Sequence, residues 1–290
     1  MSKETQKDVQ LMVYPLDISR SICSKSEPLP VQNVVGFPVS TLSFDQQVET
    51  MLAWARSHQS KVVCVSNVHM LMEGQWQSDF AQVLARADLL TPDGMPLVWM
   101  TSLLRGKRQE RVAGMELMLA LCQQAQDKDV SIFFLGSEDA TLAKIRTQLA
   151  KEFPRLKVAG MVSPPFRPLS VEEDDAIVRQ INKSGAGLLF VSLGCPKQEI
   201  WMNAHRSNVR AVMVGLGGAF SVYAGVQKWA PRWVRNNGLE WLYRLRQEPG
   251  RLWKRYASTI PPFVWLATKQ VVEARLGVKP SRLAEKSCEH

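Results

Sequence analysis

The sequence contains few cysteines, and no two of them stand close together. Its 290 residues include five cysteines and four histidines. The cysteines are Cys23, Cys64, Cys122, Cys195 and Cys288. Because they form no CxxC pair and the histidines do not fall at metal-ligand spacing, the sequence predicts neither a disulfide framework nor a metal site. A reducing compartment is expected.

Long hydrophobic runs are also missing. The longest, residues 211–220 and 260–267, fall short of the ~18 residues needed to span a bilayer. No apolar stretch directly follows the charged residues after Met1, so a secretory signal is not expected. Yet 46% of the residues are hydrophobic and no compositional period recurs, which excludes disordered, collagen-like and repeat proteins. We therefore expect one large α/β domain with appendages.

Acidic residues are fewer than basic ones, and the imbalance is local. The chain has 36 Lys and Arg against 27 Asp and Glu, a net charge of +9. Residues 228–275 hold +7 of this charge and five of the nine tryptophans. Such a stretch is typical of a segment at an anionic membrane surface, although it could also track a nucleic-acid backbone. Without a nucleic-acid-binding fold signature, we expect peripheral membrane attachment and no nucleic-acid partner.

The order of patterns divides the chain into three parts. Residues 1–33 are polar and punctuated by proline, and they predict a poorly ordered leader. Residues 34–227 alternate strand-like and helix-like segments, and residues 228–290 form a basic, Trp-rich helical appendage. Predicted strands cover residues 61–66, 131–135, 156–162, 188–193 and 211–215. Predicted helices cover residues 44–56, 116–125, 139–153, 171–182 and 197–207.

Strands that are apolar on both faces and alternate with helices predict an α/β fold with a largely parallel sheet covered by helices on both sides. Ligands of such sheets bind at the carboxyl ends of the strands. Four predicted strands end in small or polar residues. These ends are Ser66-Asn67, Gly136-Ser137, Gly194-Cys195-Pro196 and Gly215-Leu216-Gly217-Gly218.

Two motifs have alternative interpretations. The Gly215–Gly218 turn could hold a nucleotide phosphate or serve only strand–helix packing, and it lacks the full dinucleotide fingerprint. Asp127-Lys128-Asp129 has the DxD form of metal-dependent sugar transferases, but it precedes a predicted strand and therefore falls at the wrong end of the sheet. We interpret it as a solvated loop.

The acidic run at 172–175, after Ser170, is typical of a first helical turn.

Several further motifs are ordered along the chain. They are Asn67-Val68-His69-Met70, Ala87-Asp88-Leu89 with Pro92-Asp93-Gly94, Glu110-Arg111-Val112-Ala113-Gly114, Phe134-Leu135-Gly136, Gly194 with Pro196-Lys197-Gln198-Glu199, Gly215 with Gly217-Gly218, Ala230-Pro231, and 238–245 with Pro249 and Arg251. Together they resemble the WecG/TagA/CpsF glycosyltransferases, glycosyltransferase family 26, and the Asn67–Met70 form is similar to the exopolysaccharide and capsular members. The resemblance covers residues 34–256.

The resemblance implies a Rossmann-like fold and an inverting, metal-independent transfer of a hexose-type sugar. The donor would be a UDP-sugar and the acceptor a polyprenyl-diphosphate-linked glycan, at the cytoplasmic face of the bacterial inner membrane. It implies no cofactor, and it is compatible with a homo-oligomer without fixing the oligomeric state. A glucosyl donor is preferred over N-acetylmannosamine or its uronic acid. Two rivals remain open on the residues alone: a nicotinamide-dependent oxidoreductase and a non-catalytic basic binding protein.

The resemblance also implies roles for individual residues. Asp93 takes the position of the general base, and Arg111 and Gln198 join it as catalytic residues. The implied substrate-binding residues are Ser66, Asn67, Gly136, Pro196, Lys197, Glu199, Gly217, Gly218, Arg244, Arg251 and Lys254. The last three would stabilise the UDP leaving group. One departure from the teichoic-acid members is Val65, where they carry Thr, with a hydroxyl only at the adjacent Ser66.

Overall fold

The computed structural model describes residues 28–277, and its centre is a parallel sheet of six strands. The strands are ordered β4-β3-β8-β7-β5-β6, and every neighbouring pair is parallel. Their bounds are β3 Lys61–Ser66, β4 Leu89–Pro92, β5 Ile132–Gly136, β6 Val158–Val162, β7 Leu188–Ser192 and β8 Val212–Gly215. The predicted α/β class and parallel sheet are confirmed.

A two-stranded antiparallel hairpin precedes the sheet. Its strands are β1, Val31–Val34, and β2, Phe37–Ser40. Residues 1–27 of the predicted leader lie outside the described residues. The last three leader residues, 31–33, belong to β1, so regular structure starts earlier than the predicted boundary at residue 34.

Twelve helices complete the described part of the chain. They are α1 Phe44–Arg56, α2 Val68–Trp76, α3 Ser78–Ala85, α4 Met95–Arg105, α5 Gly114–Asp127, α6 Asp139–Glu152, α7 Val171–Ser184, α8 Lys197–Ala204, α9 Ala219–Tyr223, α10 Arg232–Asn236, α11 Glu240–Gln247 and α12 Pro249–Arg275. Ser170 caps α7 by accepting a hydrogen bond from the Glu173 backbone, and three acidic residues occupy the first turn. The acidic run therefore has the predicted structural role. None of the described helices is both long enough and apolar enough to cross a membrane.

The sheet separates two hydrophobic cores because alternate strand residues face opposite sides. In β3, Val62 and Cys64 contribute to one core, and Val63 and Val65 to the other. Residues of α2, α3, α4, α7, α8 and α12 complete the first core, and residues of α1, α5, α6 and α9 the second. This two-sided burial explains why the strands are apolar at successive positions.

The three helices of the predicted appendage, α10–α12, return onto the α/β body. Helix α12 packs against α2 and α4 and places Phe263 in the first core. Near its far end, Gln270 accepts a hydrogen bond from Val35 N (2.8 Å) and donates one to Asn33 O (2.8 Å). Residues 278–290 lie outside the described residues. Through these contacts α12 is held against α2, α4 and the β1–β2 hairpin.

Candidate active site

The turns after β3 and β4 are tied together by Ser66. Its carbonyl accepts hydrogen bonds from the backbone of Asp93 (3.0 Å) and Gly94 (3.4 Å), and its hydroxyl donates to Thr91 O at 2.6 Å. Ser66 is fully buried, so its hydroxyl supports the turn. Asn67 follows and caps α2, because its Oδ1 accepts from Met70 N at 3.2 Å. This cap does not use the Asn67 amide NH₂ group.

Asp93 stands half-buried at the start of α4. Burial raises the pKa of its carboxyl to about 6, and the negative charge of Glu240 adds to the rise. The positive charges of Arg111 and Arg244 act in the opposite direction. A carboxyl with this pKa is mostly ionised at neutral pH and is a stronger base than an ordinary aspartate.

Asp93 faces a cavity of about 820 Å³ between the sheet end, α4 and the appendage helices. Five of the predicted site residues line it: Asn67, Asp93, Arg111, Arg244 and Arg251. They come from widely separated parts of the chain, and the fold brings them to one cavity. A volume of this size accommodates a drug-sized or larger ligand.

Glu240 connects the arginines around Asp93. Its carboxylate lies 3.0 Å from Arg111 Nη1 and 3.8 Å from Arg244 Nε. Arg111 also lies 3.8 Å from Glu116, which in turn pairs with Arg235 of α10. Sequence reasoning did not identify Glu240 as a site residue, because its partner Arg111 is 129 residues away. Glu240 therefore joins the appendage to the cavity wall.

The glycine-rich turn after β8 lies next to Arg244. A Cβ placed on Gly218 would be 3.2 Å from Arg244 Nη2, so glycine leaves room for the guanidinium. The carbonyl of Gly217 accepts a hydrogen bond from Ser192 Oγ at 2.8 Å. Gly136, by contrast, has φ +110° and packs against the Ser192 backbone. The observed contacts of Gly136 are those of strand packing.

Gln198 and Glu199 lie beneath this turn, away from the cavity. Gln198 is 3% exposed, and its Nε2 donates to Glu199 Oε1 at 2.7 Å. A Cβ on Gly215 would be 3.0 Å from Gln198 Nε2, which places the amide directly under the turn. Burial raises the pKa of Glu199 to about 7. Helix α8 turns both side chains inward, whereas Lys197 is exposed and Pro196 partly exposed.

The resemblance placed Lys254 in the site, but the basic side chain that lines the cavity there is that of Arg255. Arg251 and Arg255 both line the cavity, whereas Lys254 is exposed outside its wall. The four-residue spacing of Arg251 and Arg255 in the sequence could have indicated this, because residues four apart share a helix face. His69 also lines the cavity; burial and the nearby charge of Arg255 lower its pKa to about 4, so the ring is neutral.

The DxD motif lies elsewhere. Asp127 pairs with Arg155 at 2.7 Å and Asp129 with Lys157 at 2.5 Å, at the amino end of β5. The motif is exposed and lies at the end of the sheet opposite the cavity, in agreement with the interpretation as a solvated segment, although Asp127 is the last residue of α5. Within residues 28–277, no three His, Cys, Asp or Glu side chains are grouped so that they could hold a metal ion.

Comparison with known proteins identifies one family. The sequence model of the glycosyl transferase WecG/TagA/CpsF family matches residues 32–277. An N-acetylglucosaminyldiphosphoundecaprenol N-acetyl-β-D-mannosaminyltransferase of Bacillus subtilis is 33% identical over 193 residues, covering 66% of this chain and 73% of the relative. A protein of the same name from Bacillus spizizenii is 30% identical over 239 residues, covering 82% and 88%.

Proposed function

The chain belongs to the WecG/TagA/CpsF family of glycosyltransferases, and from this premise we propose that it transfers a sugar from a UDP-sugar to a polyprenyl-diphosphate-linked acceptor. Both relatives are named as N-acetylmannosaminyltransferases acting on a diphosphoundecaprenol-linked N-acetylglucosamine. The proposed transferred group is therefore N-acetylmannosaminyl, in place of the glucosyl group that the Asn67–Met70 pattern favoured. Family membership favours neither the oxidoreductase nor the non-catalytic binding protein.

The observation that carries the proposal is the position of Asp93. A partly buried carboxylate of raised pKa faces a large cavity whose lining also carries arginines. In the proposed step, Asp93 takes the proton from the acceptor hydroxyl, and the oxygen of that hydroxyl attacks the anomeric carbon of the donor sugar. The bond to the UDP oxygen breaks, and the electron pair leaves with UDP. Attack from the face opposite UDP inverts the anomeric centre.

Positive charge near the leaving group supports the same assignment. UDP departs with additional negative charge, and fixed cations stabilise that charge in the transition state. Arg244 and Arg251 line the cavity and would provide them. Arg111 is held by Glu240 and Glu116, so it is oriented before substrate binds. Lys254, to which the resemblance gave the same role, does not line the cavity.

The exposed face of the appendage supports attachment to the cytoplasmic surface of a bacterial membrane. Trp233, Trp253 and Trp265 are each more than 60% exposed, although large aromatic side chains are usually buried. Basic residues are interspersed among them. Tryptophan and cationic side chains together favour the headgroup region of an anionic bilayer. The lipid-linked acceptor would be met at that surface.

Replacement of Asp93 tests the proposed function. We expect Asp93→Asn to lower transfer by ~10²–10⁴-fold, the usual contribution of a general base, while UDP-sugar binding is retained. Transfer of label from a panel of UDP-sugars to polyprenyl-diphosphate N-acetylglucosamine would be measured with EDTA present. Donor affinity would be measured by calorimetry.

Asp129→Asn is the matched control, because Asp129 belongs to the DxD motif and lies at the other end of the sheet. It should keep wild-type transfer. Full activity of Asp93→Asn, or loss of activity in Asp129→Asn alone, would contradict the proposed base. If no donor in the panel yields labelled lipid, the proposed reaction is contradicted.

A further inference from the structure

The cavity continues past Asp93 as an apolar groove between α4 and the second half of α12. Residues of α4 form one side and residues of α12 the other. The apolar groove residues are Met95, Pro96, Trp99, Met100 and Leu103 from α4, and Ile260, Phe263, Val264, Ala267, Val271 and Val272 from α12. The helical spacing of both sets shows that each helix presents one continuous face.

Much of this apolar surface is uncovered. Trp99 is 54% exposed, Leu103 51%, Val264 54% and Val272 48%, whereas Phe263 at 4% is buried in the core. Large side chains left half exposed along one groove are typical of a binding surface. Because Trp99 and Leu103 face residues of α12 across the groove, an occupant would contact both helices.

The chemistry of the α12 face changes along its length. Arg251 and Arg255 line the cavity on the first part of α12; from Ile260 to Val272 the lining is apolar apart from Thr268, and Arg275 follows at the far end. At 1.5 Å per residue this apolar part extends ~18 Å. A ligand that fits this order has a sugar at Asp93, a negatively charged group at Arg255 and a hydrocarbon chain beyond it.

We propose that the groove between α4 and α12 binds the first part of the acceptor's polyprenyl chain. The inference rests on the proposed function, which supplies an acceptor whose sugar, diphosphate and hydrocarbon follow one another in that order. Two features favour this occupant: the groove is continuous with the Asp93 cavity, and Arg255, which lines the cavity just before the apolar part of α12, complements the diphosphate charge. The polyprenyl chain would therefore contribute binding energy to the protein–acceptor complex in addition to anchoring the acceptor in the membrane.

A double variant on the groove tests the inference. Val264→Ser with Val272→Ser removes apolar contact from two half-exposed positions without disturbing the core. The matched control is Phe166→Ser with Val171→Ser, exposed by 86% and 71%, because neither residue lines the cavity. Each protein would be assayed in detergent at fixed concentration, and again on vesicles, with two acceptors. One acceptor carries a long polyprenyl chain and the other a methyl group on the diphosphate.

We expect wild-type protein to use the long-chain acceptor with the higher kcat/KM. The groove variant should lose about tenfold in kcat/KM on that acceptor and remain unchanged on the methyl acceptor. Equal losses on both acceptors, or no loss on either, would overturn chain binding while leaving transfer established. Loss confined to vesicle-bound assays would instead identify the groove as a membrane contact. Wild-type inactivity on both acceptors would contradict the proposed function itself.

Discussion

The protonation state of Asp93 decides whether this residue can act as the proposed general base. Its pKa of about 6 arises mainly from burial, with Glu240 raising it and Arg111 and Arg244 lowering it. Only the ionised carboxylate can accept a proton. As the pH falls below 6, the ionised fraction therefore decreases about tenfold per unit. We expect kcat/KM to follow this decrease and to level off above about pH 7, in a pH–rate profile of the wild-type protein.

Glu199 provides the control for this profile, because burial raises its pKa to about 7, close to that of Asp93. Glu199→Gln keeps the shape of the side chain and removes its titration. The acidic limb should persist in Glu199→Gln and vanish from the residual activity of Asp93→Asn. The reverse pattern would assign the limb to Glu199 and remove Asp93 from the role of base.

At the scale of elements, helix α12 depends on a contact at its far end. Gln270 makes two hydrogen bonds to the β1–β2 turn, across more than 230 residues of sequence. Hydrogen bonds of this kind contribute ~1 kcal/mol each. We expect Gln270→Ala to accelerate amide hydrogen exchange in the second half of α12 by about fivefold or more, measured by mass spectrometry.

Gln148→Ala is the corresponding control in α6. Gln148 is also a helical glutamine, but it bonds only to Glu152 on the same helix. Exchange in α12 should be unaffected by this change. If Gln270→Ala leaves the exchange of α12 unaltered as well, packing on α2 and α4 alone holds the helix.

The elements themselves differ in how readily the sequence shows them. Helix α1 has the predicted bounds because its apolar residues repeat with helical period and Ser43 caps it. Strand β4 was not predicted, since it is only four residues long and ends in Pro92. Proline is tolerated there because β4 lies at the edge of the sheet. That position is a property of the whole sheet and is absent from the local pattern.

At the scale of the whole molecule, the exposed tryptophans of α12 predict membrane association. Trp253 is 61% exposed and Trp265 63%, and neither belongs to the cavity wall. We expect the double variant Trp253→Ser with Trp265→Ser to bind anionic vesicles about tenfold more weakly, because the interfacial anchoring of both indole rings is lost. Co-sedimentation with phosphatidylglycerol vesicles at two salt concentrations measures this.

Trp76→Ser controls for loss of an exposed tryptophan as such. Trp76 is 50% exposed and lies on α2 of the body. Its replacement should leave vesicle binding unchanged. Equal binding by all three proteins would show that the appendage does not attach through these side chains.

The sequence by itself determined the fold class, five of the eight described strands, five of the twelve described helices, the helical nature of the appendage and the ordered motifs that include Asp93 and Arg111. These features are encoded in short windows, where the period of apolar residues and the turn residues act locally. Only the tertiary structure decided which side chains share the cavity. It buried Gln198 under the glycine turn, paired Arg111 with Glu240, and turned Arg255 inward. Such positions depend on how distant helices pack, which no local pattern specifies.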